Sequence, residues 1–450
     1  MTVHFKQDKP DESNRLDDMR QGVIGKALPR VEGLAKVTGT ATYAAEYSID
    51  NCAEGVLVTS TITRGEVTSI DRDAALAMPG VIAVIDDPRL TTRAAQGTAD
   101  EAPQQKPKTV CYWGQPIALV VAETFEQARD ATKHLAIEYR VEEGAPLDPN
   151  TVEPEEQEDE TVHQGDLAHA MSEATHSVDV TYTTRGHASA AMEPHAAIAQ
   201  WDGDKLTVYA SLQMLNYNIS ELADALDMEE GDIRLVSRFV GGGFGSKLGI
   251  SEEAVAASIA AKELGRPVRV VMSRQQVFQC IMRRSETTQR LRLCTDANGT
   301  LTGFGHEALV SNLPGEEFAE PVLQSSHFLY GGENRELMLK VARIHRMTAG
   351  SVRAPGEAVG MPALEAAMDV LAEEVGIDPV ELRLKNIPEK NPEEGLPFSS
   401  HKLAECLRQG AEAFGWDRGP RKPRQTREGE WWVGTGMASA ARVHNVSEGK

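Results

Sequence analysis

The chain has little with which to build covalent or metal cross-links. Its 450 residues hold five cysteines, at Cys52, Cys111, Cys280, Cys294 and Cys406. None is part of a C-x-x-C pair, so neither an iron–sulfur cluster nor a structural zinc site is expected of this chain. Scattered in this way they read as free thiols of a reducing compartment. Positive charge is also in deficit, with 46 Lys and Arg against 68 Asp and Glu and a formal charge of -22. Such a surface repels nucleic acid and anionic membrane, and neither is an expected partner. Long apolar runs are missing as well: no 18 consecutive apolar residues occur, and residues 1–20 are polar and charged, so neither a membrane span nor an export signal is expected. Disorder is expected over 1–20 and maturation in the cytoplasm, with export of a folded complex through a partner's signal left open.

Glycine, by contrast, is locally abundant. Arg238-Phe239-Val240-Gly241-Gly242-Gly243-Phe244-Gly245-Ser246-Lys247 places four glycines in five positions. Glycine costs entropy on folding, so a cluster points to backbone that must take positive φ or pass close to something bulky. Ile233-Arg234-Leu235-Val236 upstream predicts a short strand. Downstream, Ser251 caps an expected helix with Glu252 and Glu253 in its first turn and Gly265 at its end. Strand, glycine loop and helix together suit an anion or cofactor held by backbone N–H groups. Neither common nucleotide label fits. A G-x-G-x-x-G fingerprint would need glycine at Ser246 or Phe244, and Walker A would need Ser or Thr after Lys247, where Leu248 stands. On the glycines alone, a ligand loop and a tight turn without a ligand stay equally open.

The remaining pattern predicts a mixed α+β chain. Thr124 with Gln127 forms a capping box for a helix reaching about Leu135. The stretch Val152-Glu153-Pro154-Glu155-Glu156-Gln157-Glu158-Asp159-Glu160 reads as a solvated linker. Asp296-Ala297-Asn298-Gly299 predicts a hairpin turn. Ser351-Val352-Arg353-Ala354-Pro355-Gly356-Glu357 is an irregular loop before a helix expected to start near Pro362 and stop at Gly376, and Asp378-Pro379-Val380-Glu381 is a capping box for another. Glu193 and His195, separated by a proline, read as a turn and are assigned no catalysis. Trp431-Trp432-Val433 opens a strand-like element that nothing downstream closes.

Taken in this order, these stretches resemble the molybdenum-binding large subunit of the xanthine dehydrogenase and aldehyde oxidase family, from about Gly25 to Arg442. The likeness is greatest to bacterial aldehyde oxidoreductases that use a molybdopterin cytosine dinucleotide. It is carried by Arg30 with Lys36-Val37-Thr38-Gly39, Gly114-Gln115-Pro116, Gln213, the 241–245 loop, Arg353-Ala354-Pro355-Gly356-Glu357, and Asp378-Pro379 with Glu381-Leu382-Arg383. The resemblance implies a hammerhead domain over 21–145, a linker over 146–165, a first molybdenum-cofactor-binding domain over 166–425, and an incomplete start of a second over 426–450. It implies that Gln213, Gly242, Gly243, Phe244 and Gly245 face the apical oxygen ligand of the metal. Arg353 and Ala354 would lie beside the pterin, and Arg442 would stabilise the transition state at the substrate. No side chain would coordinate molybdenum directly.

The implied reaction oxidises aldehydes to carboxylic acids with water as the oxygen source, and the electrons leave through separate iron–sulfur and FAD subunits of a heterotrimer. Three departures from the family pattern qualify this expectation. Leu248 stands where xanthine-type proteins carry a glutamate, which argues against purines. Ala354-Pro355 lacks the cysteine of the copper-containing carbon monoxide dehydrogenases. The family's general-base glutamate would fall beyond Lys450, so the chain is expected to be a truncated or partial subunit, inactive alone. An assembly-only fragment of the same fold, or a hydroxylase of aromatic N-heterocycles, are the alternatives.

Overall fold

Runs of small and β-branched residues make the centre of the larger sheet. Pro116–Ala122 is buried at every position, the pattern of a strand covered on both faces. The computed structural model describes residues 26–90, 108–398, 401–416, 424 and 426–442; the expected disorder of 1–20 lies outside them. Seven strands line up as Ile233–Val236, Lys205–Ala210, Ala196–Asp202, Val268–Val271, Ala53–Thr59, Pro116–Ala122 and Val81–Ile85. The sheet is therefore built from both the early and the middle chain. Its seam is parallel, with Ala53 opposite Val268 and Gly55 opposite Val270.

The Glu252–Leu264 helix packs on this sheet through buried Ala254, Ala256, Ala257, Ala260 and Ala261. Alanines keep its backbone close to the strands, and Trp201 fixes it by donating Nε1–H to Ser258 O at 2.9 Å. The helix ends as expected, with Gly265 left-handed at φ 62. A three-stranded sheet of Thr109–Val110, Gly65–Asp71 and Ala136–Val141 accompanies the early region. The Phe125–Ala131 helix beside it opens on the expected capping box of Thr124 and Gln127.

A second large sheet runs Glu155–Glu156, Asn334–Arg343, Leu301–Asn312, Thr287–Thr295 and His176–Thr184. The hairpin turn between Thr287–Thr295 and Leu301–Asn312 forms where expected, with Asp296 Oδ1 accepting from Asn298 and Thr300. The Glu357–Val375 helix covers one face, burying Leu364, Ala367, Met368 and Leu371 against Leu291, Leu337 and Leu339. No described helix is long and apolar enough to cross a membrane.

Several expectations need correction. The helix expected to start near Pro362 begins at Glu357 and carries Pro362 inside it. Proline removes one N–H donor, and Gly360 N still reaches Gly356 O at 2.7 Å, so the preceding turn forms regardless. The acidic stretch is not a free linker. Glu155 and Glu156 pair with Val341 and Lys340, and Val162–Gln164 pairs further along the same strand. The acidic side chains stay exposed while the backbone closes the sheet edge. Asp378 caps the Pro379–Asn386 helix by accepting from Val380 and Glu381, a one-sided cap rather than a box. The Trp431–Val433 strand does have a partner, but it lies upstream, in Thr426–Glu428.

Candidate functional site

The glycine loop is shaped by close approaches. Gly242 and Gly245 take φ of 103 and 104, and Phe244 between them takes 55. A Cβ on Gly243 would sit 2.2 Å from Gln213 Oε1, and one on Gly245 would sit 1.8 Å from Ser351 O. The glycines thus let the loop close on Gln213 from one side and on the arginine segment from the other. Gln213 Oε1 accepts from Gly245 N at 3.1 Å and from Lys247 N at 3.3 Å. Two N–H groups aimed at one atom identify it as the oxygen, so the Gln213 NH2 group faces away from the loop, and the residue is exposed. The amides of Gly242, Gly243 and Phe244 find no acceptor among the described residues. The loop therefore leaves three backbone N–H donors unused among the described residues, with Gln213 beside it.

A buried ion pair underlies the loop. Lys247, whose side chain is 0% exposed, places Nζ 3.0 Å from Glu193 Oε2, 3.1 Å from Glu193 O and 2.9 Å from Ser211 Oγ. Glu193 Oε2 also accepts from Gly241 N and Ser211 Oγ, each at 2.6 Å. All three ammonium protons are used, and one carboxylate ties the first glycine to the last residue of the motif. Burial lowers the Lys247 pKa, which the Glu193 charge partly offsets. Two residues on, burial pushes His195 down to about 4, so its ring is neutral and Nε2–H donates to Ser246 O at 2.9 Å. Glu193 and His195 are thus scaffold for the loop rather than a simple turn. The sequence signal for them was present, a carboxylate and a lysine flanking a glycine run, but their spacing in the chain gave no reason to pair them.

The early chain closes the loop's outer side. Lys36 Nζ donates to Val240 O at 3.3 Å, and the rings of Tyr43 and Phe239 lie 6.2 Å apart. On the other side Arg353 N donates to Phe244 O at 2.8 Å, joining the arginine segment to the glycine loop. Arg353 and Ala354 are both exposed, and Ala354 takes φ 54. Gln213, the loop glycines, Phe244, Arg353 and Ala354 therefore meet in one place.

Arg442 approaches from the tail. Its Nε lies 3.7 Å from Glu357 Oε1, on the first helical residue after the arginine segment. The tail is not a strand at this point, as its small residues suggested. It is pinned by side chains: Ser439 N donates to buried Glu365 Oε2 at 2.6 Å, Tyr330 OH meets Ser439 Oγ at 2.8 Å, and Ser325 Oγ donates to Ala441 O at 2.7 Å.

This surface offers N–H donors, an aromatic ring 45% exposed at Phe244, and an exposed guanidinium at Arg353. Among the described residues no cluster of three His, Cys, Asp or Glu side chains could itself hold a metal ion. Unused backbone N–H donors beside an exposed guanidinium suit an anionic group rich in hydrogen-bond acceptors.

Comparison with known proteins gives two family matches. Residues 149–387 match the molybdopterin cofactor-binding domain, and residues 38–143 match the aldehyde oxidase and xanthine dehydrogenase a/b hammerhead domain. The chain is 40% identical, over 99% of its length and 62% of the relative's, to the aldehyde oxidoreductase molybdenum-binding subunit PaoC of Escherichia coli K12. It is 28% identical to the nicotine 6-hydroxylase large subunit of Paenarthrobacter nicotinovorans, over 95% of the chain and 56% of that subunit. Among solved structures, the quinoline 2-oxidoreductase of Pseudomonas putida 86 matches with a TM-score of 0.78 at 21% identity, over 87% of this chain and 54% of that one. The aldehyde oxidoreductase of Desulfovibrio gigas matches with 0.76 at 24%, over 86% and 46%. The chain spans less than two thirds of the length of each of these relatives.

Proposed function

The chain belongs to the aldehyde oxidase and xanthine dehydrogenase family, and on that premise we propose that it forms the cofactor-binding part of a molybdenum hydroxylase large subunit acting on aldehydes. The products are carboxylic acids, water is the oxygen source, and electrons pass to iron–sulfur and FAD partner subunits. The single observation that carries the reading is that the 242–244 amides find no acceptor among the described residues, next to Gln213, whose Oε1 is held by Gly245 N and Lys247 N.

When bound, a molybdenum–pterin group supplies the two-electron redox chemistry. The chain's own residues orient it. The Gln213 NH2 and the loop N–H groups would hold the bound group by hydrogen bonds, and Glu193 and Lys247, which tie down Gly241 and Gln213, would keep these donors in place before it binds. Phe244 and Ala354 offer flat and small surface to the pterin, while Arg353 balances its negative charge. Arg442, near Glu357, faces the substrate and stabilises oxygen charge in the transition state. The cofactor is proposed to be the cytosine dinucleotide form. An identity of 40% to an aldehyde oxidoreductase subunit against 28% to a nicotine hydroxylase subunit supports aldehydes over aromatic N-heterocycles.

Metal analysis and acid release of nucleotide from the purified complex test the reading. Molybdenum and CMP are expected in equal amounts. A complex replete in iron and sulfur but free of molybdenum would overturn the assignment, whereas molybdenum without CMP would overturn only the dinucleotide form.

A further inference from the structure

The segment that carries Arg353 is not held in place by regular structure. Residues 351–356 lie outside any helix or strand, and Ala354 occupies a left-handed conformation that costs a residue with a Cβ. Its carbonyl groups turn inward onto one guanidinium. Arg284 Nη2 donates to Val352 O at 2.7 Å and also to Arg353 O, and Nη1 reaches Ala354 O at 3.4 Å. Nη1 further donates to Glu320 Oε1 at 2.6 Å, and the same oxygen accepts the Gly356 N–H at 2.7 Å. The Arg284 side chain is 4% exposed and that of Glu320 is 0% exposed.

We propose that Arg284, neutralised by Glu320, is a positioning residue that sets the backbone of the 352–356 segment so that Arg353 and Ala354 face the cofactor. The proposal rests on the functional reading above. Three successive carbonyl oxygens directed at one point repel one another unless a cation sits among them. A guanidinium spreads its donors across a plane and can serve all three and a carboxylate together. An ammonium is a point donor and cannot span the same fan. A buried ion pair is also weak evidence for stability as such, since apolar residues of similar volume often serve equally well. Its value here is geometric: it fixes a strained turn next to Phe244, whose carbonyl already accepts from Arg353 N.

The test is Arg284→Lys in the protein expressed with its native partners. Arg290→Lys, an exposed arginine paired with Asp179, serves as the control. Hydrogen exchange is followed at the amides of Arg353 and Gly356 in cofactor-free protein. Molybdenum content and the Mo(V) electron paramagnetic resonance signal are followed in loaded protein. Arg284→Lys should speed exchange at both amides about tenfold or more, lower molybdenum retention by about 10–100-fold and shift the Mo(V) signal of what remains, while exchange in the Thr287–Thr295 strand stays at the wild-type rate. Arg290→Lys should change none of these. Wild-type exchange, retention and signal in Arg284→Lys would overturn the proposal. If that variant does not fold, Glu320→Gln, which keeps shape and an acceptor but removes the charge, should show the same changes to a smaller degree, and wild-type values there overturn it equally. Molybdenum-free wild-type protein would instead overturn the functional reading, and the exchange data would still decide whether Arg284 holds the segment.

Discussion

Single side chains at this site are committed by what surrounds them. Lys247 is fully buried, so replacing it leaves the Glu193 carboxylate without its counter-charge. Lys247→Met should cost about 3–5 kcal/mol, read as a lower urea midpoint, and pairing it with Glu193→Gln should recover part of the loss. Recovery by the double variant separates a charge effect from a shape effect; equal instability of both variants would sink the ion-pair account. Arg442 is of the opposite kind, with its side chain 76% exposed beside a largely buried Glu357. Its truncation should leave stability unchanged. In cofactor-loaded enzyme, Arg442→Ala should lower kcat/KM for aldehydes by about 10² or more, the scale of losing an oxyanion donor, and Arg442→Lys should restore only part. Unchanged turnover at equal molybdenum content would leave Arg442 a merely structural partner of Glu357.

At the scale of elements, histidines make stability depend on pH. His327 joins the acidic stretch to the 391–394 turn, with Nδ1 2.9 Å from Glu393 Oε2 and Nε2 3.4 Å from Glu160 Oε2. Burial works against its charge, but the hydrogen bonds and charges of the two glutamates outweigh it and raise the pKa to about 9. A raised pKa means that the folded state holds this proton more tightly than the unfolded one. The stabilisation is fully present below about pH 6.5 and fades as pH rises from there through 9. His195 and His306 have the opposite sign: burial lowers them to about 4 and about 3, so stability falls as pH drops from about 6.5 toward those values. Urea midpoints measured at pH 6, 7.5 and 9 should decline for the wild type, and His327→Gln should flatten that alkaline slope while leaving the acid side intact. An unchanged slope in the variant would remove His327 as its source.

The same scale separates what the sequence reveals from what it hides. Caps and helix stops are written in neighbouring residues: Thr124 with Gln127, Gly265 and Gly376 appear where expected, while Ser251 takes the N-cap position without making a side-chain capping bond. Members of the donor surface could be named because glycine clustering and the ordered resemblance mark them. Their supports could not. Glu193 and Lys247, Arg284 and Glu320, and Glu365 and Ser439 are brought together only by tertiary folding, from positions that no local pattern connects. The backbone pairing of the acidic stretch was hidden for a related reason. Its composition describes side chains that do remain in water, whereas edge pairing uses only the main chain.

Across the whole molecule, the seven-stranded sheet joins a region matched by one family model to a region matched by another. The two should therefore unfold together, and far-UV circular dichroism and tryptophan fluorescence should report one coincident transition through the sheet. Separate transitions would mean that the seam between Ala53–Thr59 and Val268–Val271 contributes little. The seam also has a history on the ribosome. Pro116–Ala122 can pair with Ala53–Thr59 early, but the other edge of Ala53–Thr59 waits for Val268. At about 5–20 residues per second, that edge stays open for on the order of ten to forty seconds while the intervening chain is made. During that interval the nascent protein displays an unpaired, apolar strand edge, so its yield should depend on chaperone supply and on translation speed across the middle of the message more than on the stability of the finished fold.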